Sequence, residues 1–309
     1  MLARQLILAA STSRWLRDRA TKTAFVRRSV SAFMPGERLE DAMAAASTQA
    51  AHSIGTIFTR LGENLTRADA AEQVTEHYLD ALDRIAAARL PAQISVKPTQ
   101  LGLDFDASLC LANVQRLVDR ATARNTLVWI DMEGSAYVDR TLDLFRRTRE
   151  RSPSIGLALQ AYLYRTKADL ESLLPLGARI RIVKGAYLEP ASIAFRRKAD
   201  VDRNFFDLAC RALDRGAQAV GSLLHIATHD ERLIDRLATY IEERRIPPTA
   251  YEYAMLYGIQ RPLQQRLVTS GRRLRVLIAY GDYWFPWYMR RLAERPANVW
   301  FVVKNIFAR

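Results

Sequence analysis

Short apolar runs rich in β-branched residues alternate with longer amphipathic segments from Ile94 onward. In the longer segments, such as YVDRTLDLFRRTRERS, apolar residues recur every three or four positions, which is the period of a helix. The apolar runs themselves are short and are typical of buried strands. There are seven of them, in chain order QISVKPTQ, LVWIDMEG, IGLALQAY, IRIVKGAY, LLHIATHD, TAYEYAML and RVLIAYG.

Strands that alternate with helices along a chain form a parallel sheet. An earlier run, TIFTRLGE, adds an eighth strand–helix unit, and eight units in 309 residues predict a closed (β/α)8 barrel of the TIM type. The Ala-rich helical segments before it predict an N-terminal helical arm over residues 1–53, followed by a barrel domain over residues 54–309. A doubly wound open sheet is the alternative. However, no G-x-G-x-x-G follows the first strand to support the nucleotide site of that fold.

Polar residues follow every one of the seven later strands. In a parallel barrel the carboxyl ends of the strands form one rim, and the active site lies there. We therefore expect a functional site on this rim, built from Lys97, Asp131, Glu133, Gln160, Arg181, Lys184, Thr228, His229, Asp230, Glu252 and Tyr280.

The net charge of +13 and the pI of about 10.1 favour anionic partners. However, arginine is spread along nearly every helix, and neither a helix-turn-helix nor an RNA-binding signature is visible. We interpret the basicity as a solvated surface and do not expect nucleic-acid binding. The two cysteines, Cys110 and Cys210, lack C-x-x-C spacing, which indicates free thiols in a reducing compartment and neither a disulfide nor a metal site.

The N-terminal segment MLARQLILAASTSRWLRDRATK is Arg-rich and nearly free of acidic residues. It lacks the uninterrupted apolar region of a secretory signal, and no apolar run approaches the roughly 20 residues of a membrane span. We predict a basic amphipathic helix packed on the barrel. A transit peptide is one alternative. A second alternative is a contact with an anionic membrane through Leu2, Leu6, Ile7, Leu8 and Trp15. We therefore expect a cytoplasmic protein, with peripheral attachment to the inner face of the membrane as the alternative location.

Seven motifs in order relate this chain to a known family: SVKPTQLG, DMEG, LQAYL, RIVKGAY, ATHD, YEYAMLYGI and YMRRLAERPAN. From Leu61 to Asn298 the chain resembles the proline dehydrogenases, in their short monofunctional bacterial form. The resemblance implies a (β/α)8 barrel that holds noncovalent FAD over the strand ends. It also implies an oxidoreductase acting on a CH–NH donor, which oxidises L-proline to 1-pyrroline-5-carboxylate by hydride transfer to FAD. Electrons pass to a quinone in this first step of proline catabolism, and pyrroline-5-carboxylate dehydrogenase is an expected partner.

The resemblance also assigns residues to the cofactor. Arg181 would reach the flavin near its reactive nitrogen, where a fixed cation favours the anionic reduced ring. Asp131, as a catalytic residue, would position Lys97 or the flavin edge. The other expected cofactor contacts are a turn at the pyrophosphate (Lys184, Gly185, Ala186), a hydrogen bond to the ring from Gln160, a backbone contact from Met132, and contacts from Thr228 and His229.

For the substrate, the resemblance implies that Arg290 and Arg291 clamp the carboxylate of proline, with Lys97 completing the cationic pocket. A guanidinium suits this task because its planar fork binds a carboxylate through two hydrogen bonds. Glu294, about one helical turn on, would hold one arginine in place. Leu256 would form an apolar wall, and we expect Tyr280 to line the pocket.

The last predicted strand departs from the family pattern. Before YGDYW the family usually reads R-V-Y-V-P-Y-G, whereas this chain reads RVLIAYG, from Arg275 to Gly281. Leu277 therefore stands where a tyrosine usually lies at the substrate ring, and Ala279 replaces a proline. The missing hydroxyl predicts a looser and more apolar pocket. Oxidation of a related cyclic imino acid is thus an alternative function.

Two further alternatives are not oxidoreductases. A Schiff-base aldolase would use Lys184 at the end of a barrel strand as its nucleophile. A basic nucleic-acid-binding protein would instead bind any duplex in a salt-dependent manner. A flavin spectrum in the purified protein would exclude both.

Overall fold

The computed structural model describes residues 30–62, 65 and 67–293, with only the backbone described for 290–293. The N-terminal segment that we predict as a basic helix lies outside the described residues, and so does Glu294. Within the described residues, no helix has the length and apolar character needed to cross a membrane.

Eight parallel strands close into a barrel in sequence order, with β8 paired to β1. The prediction of a (β/α)8 barrel is therefore confirmed, and the open sheet was the wrong alternative. The strands are β1 (Gly55–Arg60), β2 (Ala92–Val96), β3 (Val128–Ile130), β4 (Ile155–Gln160), β5 (Arg179–Val183), β6 (Leu223–Ala227), β7 (Tyr251–Leu256) and β8 (Leu274–Tyr280).

Helices follow the strands and form the outer ring. Two of them begin at aspartate N-caps, since Asp106 accepts hydrogen bonds from the backbone of Ser108 and Leu109, and Asp214 accepts one from Ala217. The described helices are α1 (Leu39–Ala51), α2 (Ala68–Ala87), α3 (Ala107–Ala123), α4 (Val138–Arg149), α5 (Thr166–Leu173), α6 (Lys198–Ala212), α7 (Arg215–Ala219), α8 (Glu231–Glu243), α9 (Arg261–Thr269) and α10 (Trp284–Ala293).

The two faces of each strand have different neighbours because side chains alternate along a strand. In β3, Val128 and Ile130 belong to the large core between the sheet and the helices. Trp129, between them, belongs to a separate apolar cluster with Ile57 and Leu127, against which Leu277 packs. This second cluster fills part of the barrel interior, which we call the lumen.

The amino end of the lumen, its floor, carries charged residues. Glu252, the second residue of β7, accepts hydrogen bonds from Arg275 Nε (2.5 Å) and from Arg273. His225 Nε2 lies 3.1 Å from the same carboxylate, outside hydrogen-bond geometry. Burial acts to raise the pKa of Glu252, but His225 and Arg275 hold it well below the usual 4.5. We expected Glu252 on the rim, which was wrong, because β7 begins at Tyr251 and places this side chain at the opposite end.

Helix α1 packs against β1 and β8, the two strands that close the barrel. Its buried face is formed by Leu39, Ala42, Ala45 and Ala46. The boundary that we place between an arm and the barrel at residues 53 and 54 thus falls in the turn between α1 and β1. Residues 39–51 are part of the barrel wall, in the place that the helix after the last strand takes in a regular barrel.

Candidate active site

Asp131 lies at the centre of the charged groups on the rim. Its Oδ1 accepts hydrogen bonds from Arg181 Nη2 (2.5 Å) and Ser95 Oγ (2.9 Å), and Lys97 Nζ lies 3.9 Å from Oδ2. Ser95 and Lys97 are two residues apart on and just after β2, so they share the face that points into the lumen. The structure therefore brings together Lys97, Asp131 and Arg181, as the sequence predicts, and adds Ser95.

Arg181 is an almost fully buried cation, with 3% of its surface exposed. Its hydrogen bonds to Asp131 and to Ser95 (2.7 Å) both come from Nη2, whereas Nη1 is buried without a partner among the described residues. Burial lowers the pKa of Arg181 and the charge of Asp131 opposes this shift. Since an arginine side chain stays protonated in proteins, the rim holds a fixed positive charge.

Gln160 ends β4 beside this group. Its Nε2 donates to the backbone oxygens of Met132 (2.9 Å) and Glu133 (3.2 Å), which fixes the side-chain amide. Its Oε1 is buried and has no hydrogen-bond partner among the described residues. The arrangement leaves one oriented acceptor near the fixed cation.

Glu133 has a structural part in the described geometry. It is buried, and its carboxylate accepts hydrogen bonds from the backbone N–H (3.0 Å) and the hydroxyl (2.7 Å) of Thr99. These bonds join the loop after β2 to the loop after β3. Glu133 thereby supports the position of Lys97 and Asp131 from behind.

Lys184 lies in a charge-balanced cluster beyond the end of β5. Its Nζ donates to Asp202 (2.5 Å) and Asp230 (2.7 Å), and Lys198 bridges the same two carboxylates. Burial acts to raise the pKa of Asp230, but hydrogen bonds from Lys184 and Lys198 bring it far below 3.8. A Schiff-base lysine must be a neutral amine, so this ion-paired ammonium does not support the aldolase alternative.

Gly185 follows with φ of +112°, a conformation that favours glycine. A Cβ atom at this position would lie 2.2 Å from a ring carbon of Tyr162, so neither the backbone nor the space admits a side chain. Ala186 continues the turn and is half-buried. The turn therefore presents bare backbone at the rim.

Thr228 and His229 hold the neighbouring loops. Thr228 is buried, and its hydroxyl accepts a hydrogen bond from the backbone N–H of Asp230 (3.1 Å). His229 Nε2 accepts one from the backbone N–H of Leu256 (2.8 Å), which places the end of β7 against the end of β6. Leu256 in turn pairs in register with Leu277 on β8.

Leu277 and Tyr280 lie on opposite faces of β8. Leu277 packs on the lumen cluster with Ile57 and Trp129. Tyr280, three residues on, points to the helices, where its hydroxyl lies 2.9 Å from His77 Nε2 and its ring meets Phe58 edge-on. An odd separation along a strand reverses the face, so the structure does not place Tyr280 in the pocket that we expected it to line.

A cleft of about 450 Å³ opens beside Tyr280, between α1, α2 and the ends of β1 and β8. His77 on α2 lines it, together with Arg60, Asp80 and Arg84. The cleft lies outside the barrel wall and contains none of Lys97, Asp131 and Arg181. It is therefore separate from the charged group on the rim.

We expect His77 to make stability depend on pH. Burial lowers its pKa to about 4 from 6.5, so between these values the unfolded chain binds more protons and stability rises with pH. Because the cleft leaves this side chain partly hydrated, we expect a rise on the order of 1 kcal/mol. Urea unfolding of the wild type and of His77→Gln from pH 4 to 7 measures this rise in the free energy of unfolding. His52→Gln, at an exposed histidine, is the control. The same dependence of the free energy of unfolding on pH in wild type and His77→Gln would contradict the expectation.

Arg290 and Arg291 lie on α10, and the structure describes only their backbone. Their part in binding a carboxylate remains a prediction from sequence. Two residues that sequence reasoning missed, Ser95 and Lys198, contact predicted site residues directly. Alternation along β2 could have identified Ser95, whereas Lys198 is brought in by the loop after β5 and had no local signal.

Comparisons with known proteins agree with this barrel. The sequence model of the family described as proline dehydrogenase matches residues 42–304. Proline dehydrogenase 2 of Bacillus subtilis is 37% identical over 246 residues, covering 80% of this chain and 80% of that protein. Proline dehydrogenase of Deinococcus radiodurans is 35% identical over 279 residues, covering 89% of this chain and 88% of that protein.

Among solved structures, proline utilization A (PutA) of Bdellovibrio bacteriovorus superimposes with a TM-score of 0.79 at 21% identity. The match covers 94% of this chain and 36% of that one, so this chain spans about a third of the PutA protein. At this identity the likeness supports the fold alone. The family match and the relatives, which extend over most of the sequence, decide the assignment: the chain belongs to the proline dehydrogenase family.

Proposed function

We propose that the protein oxidises L-proline to 1-pyrroline-5-carboxylate, with noncovalent FAD as the hydride acceptor and a quinone as the next acceptor. The observation that carries the proposal is the buried guanidinium of Arg181, which is held by Asp131 beside Lys97 and whose Nη1 has no partner among the described residues. The names of the relatives support proline as the substrate. A related cyclic imino acid is the second candidate because of Leu277.

The residues on the rim fit a flavin. Arg181 Nη1 and Gln160 Oε1 are a buried donor and a buried acceptor without partners in the described part of the chain. The edge of a flavin ring carries both acceptors and an N–H donor, so it can satisfy both atoms. Buried polar groups in proteins are nearly always hydrogen-bonded, which favours a ligand with this pattern.

The turn after β5 suits the phosphate part of the cofactor. Gly185 lets the backbone approach closely, and Lys184 uses two of its three N–H donors on Asp202 and Asp230. The third remains for a phosphate oxygen. Because the cluster is charge-balanced, Lys184 and Lys198 contribute directed hydrogen bonds more than net positive charge.

In the proposed reaction, bound FAD supplies the acceptor for a hydride from the carbon next to the ring nitrogen of proline. Arg181 provides a positive charge that is already in position before the reaction, since hydrogen bonds to Asp131 and Ser95 hold one end of its guanidinium. Lys97, whose Nζ lies 3.9 Å from the Asp131 carboxylate, would share its charge with the substrate carboxylate. These cations favour loss of the proton from the ring amine, and the neutral amine is the form that can release a hydride.

The substrate pocket combines this charge with apolar walls. Arg290 and Arg291 on α10 would clamp the carboxylate, with Glu294 orienting one of them, while Leu256 and Leu277 would contact the ring. Met132, Thr228, His229 and Ala186 complete the cofactor contacts in this proposal. Tyr280 is left out, because its hydroxyl contacts His77 behind the sheet.

Two measurements on the purified protein test the proposal. We expect a yellow flavin spectrum, with all of the colour released on denaturation, and reduction of a dye acceptor that depends on proline. Colour retained on the precipitated chain would contradict noncovalent binding. A colourless protein that borohydride traps with a carbonyl substrate would replace the proposal with the aldolase, and salt-dependent duplex binding without flavin would replace it with a nucleic-acid-binding function.

Replacing Leu277 with tyrosine is expected to tighten the use of proline. The new hydroxyl restores a polar contact and a steric limit at the lumen face of β8, so KM for proline should fall roughly 3- to 10-fold. Discrimination against ring-substituted analogues should rise in steady-state assays. Leu277→Phe is the matched control, since it adds the ring without the hydroxyl. Unchanged kinetics in Leu277→Tyr would mean that this side chain does not face the substrate.

A further inference from the structure

A column of side chains fills the lumen directly beneath the charged rim, and neither the motifs nor the proposed mechanism uses it. Trp129 is its central member and is fully buried. The guanidinium carbon of Arg181 lies 4.9 Å from the centre of the Trp129 ring system. The His225 ring centre lies 4.2 Å from that of Trp129, and the two rings are tilted by 43°. The guanidinium of Arg181 therefore lies over an indole that also packs against an imidazole.

The indole of Trp129 is held in place by its surroundings. Its Nε1 donates a hydrogen bond to Gln93 Oε1 (2.8 Å). The neighbouring strand has glycine at position 156, where a Cβ atom would lie 2.6 Å from the ring carbons of Trp129. A side chain at position 156 would displace the indole, so the glycine in β4 is needed for Trp129 to occupy this position.

His225 completes the support from the floor. It is fully buried, 3.1 Å from the carboxylate of Glu252, and burial lowers its pKa to about 4. The imidazole is thus neutral near pH 7. As a neutral ring it packs on the indole without competing with Arg181 for the negative charge of the ring face.

The hydrogen bonds of Arg181 do not by themselves fix its orientation. Both come from Nη2, so they anchor one end of the guanidinium, whereas Nη1 has no partner among the described residues. Stacking on a desolvated aromatic face is favourable for a guanidinium and selects one plane. That plane determines where the unpaired Nη1 points.

We propose that Trp129, packed against His225, is a positioning residue that fixes the guanidinium plane of Arg181 and thereby sets the direction of its Nη1. The effect of this positioning on catalysis rests on the proposed function. The orientation itself does not, because it is a property of the folded chain.

The orientation is tested by NMR of arginine side chains in the full-length protein as purified. The Nε–Hε resonance of Arg181, identified by its absence in Arg181→Met, should show an upfield ring-current shift that is lost in Trp129→Leu. Trp129→Phe, which keeps an aromatic face if the leucine variant fails to fold, should retain part of the shift. Ile130→Val, on the helix-facing side of the same strand, should leave it unchanged. A resonance without such a shift in the wild type would overturn the proposal.

The effect on function is tested by a double-mutant cycle in the flavin-loaded enzyme. Trp129→Leu should lower kcat with proline about tenfold and change KM little, since the substrate clamp lies elsewhere. The same substitution in the Arg181→Met background should change kcat less than twofold, and the flavin reduction potential should follow the same pattern. Equal losses in both backgrounds would show a merely structural role and overturn the proposal. If the wild type binds no flavin, the proposed function fails, while the NMR result still decides the orientation.

Discussion

Replacing Arg181 with methionine is expected to lower kcat/KM for proline by about 100- to 1000-fold. The reason is that Arg181 is a fixed, desolvated cation at the point where negative charge develops, and losing one such group costs this much in comparable sites. Methionine preserves most of the apolar stem but carries no charge. Because Asp131 keeps Lys97 nearby, the rim should retain its fold.

Steady-state assays with proline and a dye acceptor measure this loss, together with the flavin content of the variant. Arg146→Met is the control, because Arg146 lies on α4 and contacts only Ser172 among the described hydrogen bonds. Arg181→Lys should recover part of the activity, since it restores the charge without the planar fork. Activity within a few fold of wild type in Arg181→Met would remove this residue from the mechanism.

Among the substitutions named for the barrel, removing the carboxylate of Glu252 is expected to lower the free energy of unfolding most. Glu252 is 3% exposed and faces Arg273, Arg275 and His225. Glu252→Ala leaves Arg273 and Arg275 without this counter-ion, and breaking a buried ion pair from one side costs about 3 to 5 kcal/mol. We expect the lower end, about 3 kcal/mol, because Arg273 is 44% exposed and can regain water.

The pH dependence distinguishes this effect from a loss of packing. The pKa of Glu252 is depressed in the folded chain, so its contribution is complete above the unfolded value near 4.5 and is lost as pH falls below it. Urea unfolding measures the difference in the free energy of unfolding between wild type and variant. We therefore expect this difference to be smaller at pH 4 than at pH 7. Glu243→Ala, at an exposed site on α8, is the control. An equal difference at both pH values would indicate lost packing instead.

The periodic pattern was sufficient to predict the barrel, because each strand and helix carries its own local signal. It also predicted that Lys97, Asp131 and Arg181 meet. Lys97 and Asp131 directly follow their strands and Arg181 lies within β5, each with its side chain on the lumen face. Tyr280 was misplaced although the same rule applied, because its odd separation from Leu277 was not considered. Glu252 was misplaced although the predicted run TAYEYAML ends at Leu256, as β7 does, because a residue in the first half of that run was counted among those at its carboxyl end.

The rest of the site depends on contacts between distant parts of the chain. The stacking of Trp129 on His225 and Arg181 depends on how three strands are staggered around the barrel, which no local pattern encodes. Lys198 reaches Asp230 through the loop that follows β5. Such contacts are set by the closed sheet as a whole and could be found only in the structure.

The position of α1 has a consequence for how the chain reaches its native state. The seam that α1 covers joins β1 to β8, so residues such as Gly55 and Arg275 pair only after nearly the whole barrel sequence has left the ribosome. Until then β1 exposes an unpaired edge, and α1 lacks half of the surface on which it packs. Contacts of such high sequence separation form late and slowly. We therefore expect the seam to close late in folding, and a nascent chain that stalls before Leu274 to be prone to aggregate.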